Sequence, residues 1–181
     1  SKLYVGTWST GNNTGGANDH FILTSDTILP GATTAAPWAK SGLVAIPGTK
    51  PYLAAESTNN YAGWHNVTGV TVTAAKAGTS AGHMEGSLDL AQAFGGPPAT
   101  VYLASIAYGT ADGGGIASQC PAGNGNNDLD PGEFLAFPLP SLTDQNADGT
   151  LDRLDPAMHF RITQVSGTGP EQDDAQPGRR P

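Results

Sequence analysis

The acidic stretch DQNADGTLDRLD carries oxygen-bearing side chains at alternating positions around one glycine. A calcium ion takes about six to eight oxygen ligands, and alternate side chains reach one ion only where the chain curls tightly. Gly149, at the sixth position, allows that curl because glycine accepts dihedral angles that other residues avoid. The pattern predicts a calcium loop over Asp144–Asp155, with ligands drawn from Asp144, Asn146, Asp148, Thr150, Asp152 and Asp155.

A weaker form of the same pattern lies upstream in AGNGNNDLDPGEF. Counted back from a carboxylate at the twelfth position, amide and carboxylate groups fall at several ligand positions, although Ala122 at the first position cannot bind a metal. The residues of this second possible metal loop are Asn124, Asn126, Asp128, Asp130 and Glu133. The alternative is a series of turns in which Asn and Asp side chains bond to the backbone without any metal.

A third group of residues combines aromatic rings with amides in the stretch NNYAGWHN. Aromatic faces stack on the apolar faces of sugar rings, while amide and imidazole groups bond to the hydroxyls. The candidate ligand-binding residues are Trp64, Tyr61, Asn59 and His65. Trp38, in a Pro-containing loop, is an outlying candidate, and Trp8 is expected in the core. The alternative for all these rings is packing within the core.

No catalytic residues are predicted. GTSAG matches the spelling of a nucleophile elbow around Ser80, but the elbow requires a strand before it and a helix after it, and here small residues join two predicted strands. The acidic residues outside the loops and the tail are Glu56, Glu85 and Asp89, and the sequence does not bring two of them together across a cleft. There is no HExxH, Walker or CxxC motif.

The rest of the sequence consists of short β-branched or aromatic stretches separated by Gly, Pro and Asn, a pattern typical of strands. These strands must position the candidate residues. In MHFRITQV, Phe160 and Ile162 share one face while Arg161 and Thr163 share the other, as in a half-buried strand. The predicted strands are Lys2–Trp8, His20–Thr24, Gly42–Ile46, Tyr52–Ser57, Tyr61–Val67, Gly69–Ala75, His83–Leu90, Thr100–Tyr108, Glu133–Phe137 and Met158–Val165.

This spacing predicts an all-β fold, an antiparallel β-sandwich of the jelly-roll or immunoglobulin-like class with long Gly/Asn-rich loops. One short helical stretch is expected at Asp89–Gly95, where Gly-Gly-Pro-Pro ends it. We expect a single domain over residues 1–165 that includes the calcium loop, followed by a polar Pro/Gly-rich tail over residues 166–181.

The composition limits the possible partners. Eight basic residues stand against 16 acidic ones in a chain of 181 residues with net charge −8, which argues against nucleic acid and anionic lipid. No apolar run approaches the roughly 18–20 residues that span a bilayer. Cys120 is the single cysteine, so bound Ca²⁺ is expected to take the place of cross-links. The low Lys content and abundant Asn, Thr and Gly are common in secreted proteins.

A family resemblance rests on three stretches of the sequence. The longest begins with HMEGSLDLAQAFGGPPATVYLASIAYGTADGG and continues to EFLAF, and the other two are LYVGTW and NDHFILT. Over roughly residues 1 to 140 this order of strand, short helix, GGPP turn, long strand and DGG turn resembles the DOMON-like β-sandwiches, which include family 9 carbohydrate-binding modules. The acidic loop resembles those of dockerins and thrombospondin type 3 repeats. The usual opening strands are missing before Lys2, so either the N-terminus is trimmed or another chain completes the sheet.

The resemblance implies a calcium-stabilised, non-catalytic sandwich that is extracellular or on the cell surface and binds carbohydrate. The alternative is a structural subunit of a filament, surface layer or larger complex that binds another protein subunit or self-associates. A hydrolase or a haem-binding domain comes third. Haem ligands in such domains are Met and His, which here would be chosen from Met84, Met158, His20, His65, His83 and His159.

Overall fold

The computed structural model describes residues 2–7, 18–77 and 83–139, with the backbone alone for Ala77 and His83. Within these ranges the chain forms strands, one short α-helix and one turn of 3-10 helix at Pro131–Glu133. The strands and the helix are β1 Lys2–Thr7, β2 Asn18–Ser25, β3 Thr34–Ala35, β4 Leu43–Val44, β5 Tyr52–Ala55, β6 Ala62–His65, β7 Val72–Ala77, β8 His83–Asp89, α1 Leu90–Phe94, β9 Thr100–Gly109, β10 Ile116–Cys120 and β11 Leu135–Pro138.

The strands form a six-stranded sheet, a three-stranded sheet and a small two-stranded pair, and every pairing between them is antiparallel. The six-stranded sheet has the order β10-β9-β2-β5-β6, and β11 pairs with the same edge of β9 that β10 uses. The three-stranded sheet has the order β1-β8-β7. The predicted all-β antiparallel sandwich is confirmed.

An interlayer core fills the space between the two large sheets. Ile22 and Leu53 from the six-stranded sheet meet Met84 and Leu88 from the three-stranded sheet, and all four are buried. Trp64 links the layers directly, because its indole Nε1 donates a hydrogen bond of 2.9 Å to the Thr73 carbonyl. Burial of these side chains removes apolar area from water and stabilises the sandwich.

A second core lies on the opposite face of the six-stranded sheet. Phe21 and Leu23 of β2 and Tyr108 of β9 point into it, and irregular segments between residues 26 and 51 and between 121 and 134 cover it. β2 is therefore buried on both faces, which explains its continuous apolar run where a half-buried strand would alternate. The second core was not part of the expected two-layer sandwich.

Most predicted elements match the structure, and two strands were missed. The helix at Leu90–Phe94 has Asp89 as its N-cap, with the carboxylate accepting from the Gln92 N–H, and a left-handed Gly95 at its end. β3 and β10 were not predicted because their small and polar residues carry no alternation, and pairing with neighbouring strands forms them. The predicted strand Met158–Val165 lies outside the described residues.

One buried ion pair ties the second core together. Lys40 Nζ lies 2.9 Å from Asp19 Oδ2, and the two side chains are only 2% and 9% exposed. The same ammonium group donates to the carbonyl oxygens of Gly109, Thr110 and Ala111 at 2.8, 2.8 and 3.3 Å. Asp19 Oδ1 also accepts from the Ser57 N–H at 3.0 Å. The contacts join four parts of the chain that are distant in sequence.

We expect Lys40→Met to lower the free energy of unfolding by about 3–5 kcal/mol, because it leaves the Asp19 carboxylate buried without its partner. The matched control is Lys50→Met, which breaks the more exposed 2.5 Å pair with Asp26 and should cost under about 1 kcal/mol. Urea denaturation of both variants measures the difference. Equal losses in the two variants would show that burial of the Lys40 pair has no special weight.

Candidate binding site

Four rings form an aromatic patch where β5 and β6 meet the loop before β4: Trp38, Tyr52, Tyr61 and His65. The Tyr52 and His65 rings are stacked, with centroids 4.7 Å apart and planes at 7°, because the two residues are direct partners in the β5–β6 register. The centroid of the Trp38 ring lies 5.3 Å from that of His65 and 6.1 Å from that of Tyr61. Tyr61 is 42% exposed, so the patch offers one open ring above three half-buried ones.

Tyr61 is the residue before β6, and its side chain runs over that strand. Its hydroxyl is 3.2 Å from His65 Nε2, and Gly63 lies midway between the two residues in the sequence. A Cβ atom at Gly63 would fall 2.6 Å from the Tyr61 hydroxyl, which is closer than van der Waals contact permits. Gly63 therefore provides the space in which the Tyr61 ring reaches His65.

Trp38 is held by the buried layer below it. Phe21, fully buried in the second core, meets the Trp38 ring edge to face at 5.0 Å. Burial raises the pKa of Tyr52 above its ordinary value, and the neighbouring Trp38 acts in the opposite direction. The indole is thus held from below by packing against Phe21.

The backbone at Trp38 is in a conformation that such residues avoid. Trp38 and Ala39 both have positive φ, 54° and 53°, which costs about 1–3 kcal/mol for a residue with a side chain. The neighbouring Lys40 pair holds this turn, and Ala39 accepts a bond of 2.8 Å from the Gly113 N–H. Strain of this kind occurs often at binding sites, since the surrounding contacts impose it in order to orient a side chain.

The structure separates Trp64 from the other predicted ligand-binding residues. Trp64 is 8% exposed and faces the interlayer core, on the side of β6 opposite to Tyr61 and His65. Asn59 is exposed beside the patch, and its Oδ1 accepts from the Tyr61 N–H at 2.6 Å. Trp38 takes the place that Trp64 was expected to hold. The sequence could have predicted this separation, because residues three apart along an extended chain, such as Tyr61 and Trp64, point to opposite faces.

The second possible metal loop is held by its own hydrogen bonds. The Asn126 N–H donates to Asn124 Oδ1 at 2.9 Å and the Asp128 N–H to Asn126 Oδ1 at 2.8 Å. The carboxylate of Glu133, a buried residue, accepts from the backbone N–H groups of Asn124 and Asp130 at 2.6 and 3.0 Å. These are the side-chain to backbone turns that stand as the alternative to a metal site.

The donor set of this loop does not suit a cation in this arrangement. The Nδ2 groups of Asn124 and Asn126 both donate to Asp130 Oδ2, at 2.8 and 2.9 Å, so two N–H donors meet at an oxygen that a metal would need. Turning these amides would sacrifice the two backbone bonds that their oxygens accept. Asp128 Oδ1 is also engaged, by the Leu43 N–H at 2.8 Å. Metal binding here stays a prediction without geometric support.

The remaining predicted residues lie apart from the patch or outside the described chain. The calcium loop over Asp144–Asp155 and Ser80 fall outside the described residues. Glu85 is exposed on β8, and Asp89 caps α1 four residues further along the same strand, about 13 Å away at 3.3 Å per residue. In residues 2–7, 18–77 and 83–139, no three His, Cys, Asp or Glu side chains are placed to bind a metal ion.

No protein-family model, no curated protein and no solved structure matches this chain. No helix in the described ranges has the length and apolar character needed to cross a bilayer.

Histidine burial gives the stability of this protein a pH dependence. Burial lowers the pKa of His65, and burial followed by the charge of Lys76 lowers that of His20, from an ordinary value of 6.5. The unfolded chain therefore binds more protons, and stability is lost as the pH falls below about 6.5. We expect the urea midpoint to decrease from pH 7.5 to about pH 5.5, and to decrease less in His65→Gln. An unchanged slope in this variant would contradict the prediction.

Proposed function

We propose that this chain is a non-catalytic carbohydrate-binding module, and that the aromatic patch binds the sugar. The observation that carries the proposal is the open ring of Tyr61, fixed against His65 and beside a Trp38 whose backbone is strained. Flat rings of this kind bind the apolar face of a pyranose, and they do so at low entropic cost when they are held rigidly.

The polar groups around the patch suit the hydroxyls of a neutral sugar. The Tyr61 hydroxyl and His65 Nε2 form one donor and acceptor pair at the edge of the rings, and the exposed amide of Asn59 lies close by. A sugar stacked on Tyr61 would reach these groups without a metal. None of the four rings carries a permanent positive charge, and the Lys76 ammonium beside Asn59 is engaged by the Asn59 carbonyl at 2.7 Å, which favours neutral oligosaccharides.

Binding to neutral oligosaccharides tests the proposal. We expect a change in tryptophan fluorescence and a measurable Kd with at least one member of a panel of glucose-, xylose- and mannose-based oligosaccharides. Tyr61→Ala and Trp38→Ala should each weaken binding about tenfold, near 1.4 kcal/mol, because each removes a stacking face. Isothermal titration calorimetry gives the same constants independently.

Tyr4→Ala is the matched control. Tyr4 is 74% exposed on β1 and lies outside the patch, so its removal should leave the Kd unchanged. Equal losses in Tyr4→Ala and Tyr61→Ala would contradict binding at the patch, as would the absence of binding across the whole panel.

The proposal includes a structural Ca²⁺ in the loop Asp144–Asp155, supported by the alternation of its oxygen-bearing residues around Gly149. Bound metal would stabilise a single-cysteine chain in the role that disulfides play elsewhere. An extracellular or cell-surface location belongs to the same proposal, since free Ca²⁺ is abundant there and the composition is typical of secreted proteins.

Calcium removal tests the metal site. We expect the melting temperature to rise by several degrees on addition of Ca²⁺ and to fall with excess chelator, through preferential binding to the folded state. Asp148→Ala should lose this response. Asp130→Asn, in the hydrogen-bonded loop upstream, should keep it. A calcium response lost in Asp130→Asn and kept in Asp148→Ala would assign the metal to the upstream loop, and the absence of any response would reject the metal.

A structural subunit that self-associates is the second candidate function. The observation in its favour is the edge of β1, which has no partner strand among the described residues. A subunit of this kind would form concentration-dependent oligomers with no sugar affinity, so sedimentation and the oligosaccharide titration together distinguish the two candidates.

A further inference from the structure

The rings of the aromatic patch are inclined to one another. The plane of Trp38 makes an angle of 41° with that of Tyr61 and of 80° with that of His65, and the Tyr61 and His65 planes differ by 63°. His65 and Tyr52 are close to parallel, at 7°, but they stack face to face and so do not lie side by side. The surface that the patch offers is therefore not flat.

Packing fixes the angle between Trp38 and Tyr61. Phe21 meets the Trp38 ring at 74°, with centroids 5.0 Å apart. A Cβ atom at Gly63 would fall 2.6 Å from the Tyr61 hydroxyl oxygen and 3.0 Å from its Cζ atom, so the Tyr61 ring lies close against the backbone of β6. Neither ring can turn without losing its packing contact. A ligand therefore meets the two rings at the angle that they already have.

The linkage of a sugar chain decides whether its consecutive rings share a plane. Glucose in β-1,4 linkage forms an extended ribbon with consecutive rings nearly coplanar, whereas glucose in α-1,4 linkage curves, and its consecutive rings are turned relative to one another. The Trp38 and Tyr61 centroids lie 6.1 Å apart, which lets two consecutive sugars meet one ring each. A flat ribbon laid on Tyr61 would leave Trp38 inclined to the next sugar, without the face-to-face contact of stacking.

We infer that the aromatic patch selects neutral chains whose consecutive sugars are turned relative to one another, as in α-1,4-linked glucose, over flat chains, as in β-1,4-linked glucose. The inference rests on the proposed binding of sugar at the patch. One sugar stacks on the open face of Tyr61, which is 42% exposed, and the next contacts the exposed part of the half-buried Trp38 ring. Selection comes from the angle between the rings and requires no hydrogen bond to the linkage.

Maltohexaose and cellohexaose are matched probes, because they contain the same number of glucose residues and differ in linkage alone. In isothermal titration calorimetry with the unmodified protein, we expect a Kd at least about fivefold lower for maltohexaose. Microcrystalline cellulose, whose chains present flat faces, should not retain the protein when it is sedimented.

Equal Kd values, a preference for cellohexaose, or retention on cellulose would overturn the inference and leave sugar binding at the patch intact. Binding of neither hexaose would also overturn it. The wider oligosaccharide panel then decides separately whether the proposed function falls as well.

Variants of the two rings test the origin of the selection. Trp38→Ala should weaken maltohexaose binding about tenfold and change the cellohexaose Kd by less than about twofold, because the flat chain does not stack on the indole. Tyr61→Ala should weaken both, and the control Tyr4→Ala should weaken neither. Equal losses for the two sugars in a folded Trp38→Ala would overturn the inference. The comparison in the unmodified protein needs no variant, so it decides even where Trp38→Ala does not fold.

Discussion

The buried ammonium group of Lys40 is the contact on which the second core depends. A charged group in the low dielectric of a core is stable only when paired and hydrogen-bonded, and here Asp19 and three carbonyl oxygens provide both. The acceptors belong to β2 and to the turn that joins β9 and β10. The lysine therefore fixes the irregular segment that covers the second core to the strands beneath it.

The aromatic patch follows from this anchor. Lys40 is two residues from Trp38, so holding its ammonium group also holds the left-handed turn that orients the indole. The register of β5–β6 stacks His65 on Tyr52, and Tyr61, just before β6, places its hydroxyl against His65. The patch combines one residue fixed by an ion pair, two fixed by strand pairing and one that contacts them, and no segment of the chain contains the arrangement alone.

The sequence was sufficient where local chemistry determines the structure. Short β-branched and aromatic stretches between turn residues identified β1, β2 and β9, and the stretch Asp89–Gly95 gave both ends of α1, because these signals depend on neighbouring residues. The sequence was insufficient where contacts between distant residues determine the structure. β10 forms only because β9 offers an edge, and the second core depends on Lys40 reaching a turn 69 residues away. Trp64, expected at the binding site, lies in the interlayer core, while the outlying candidate Trp38 joins the patch, for the same reason: only the folded layers determine which ring meets water.

The placement of β2 between β5 and β9 has a consequence for synthesis on the ribosome. β2 begins at Asn18, and its partner on one side extends to Gly109, so the central pair of the sheet joins residues made far apart in time. Until β9 leaves the exit tunnel, β2 retains an open edge and neither core can close. The nascent domain therefore exposes the open edge of β2 through most of its translation, and an unpaired strand edge of this kind favours association with other chains.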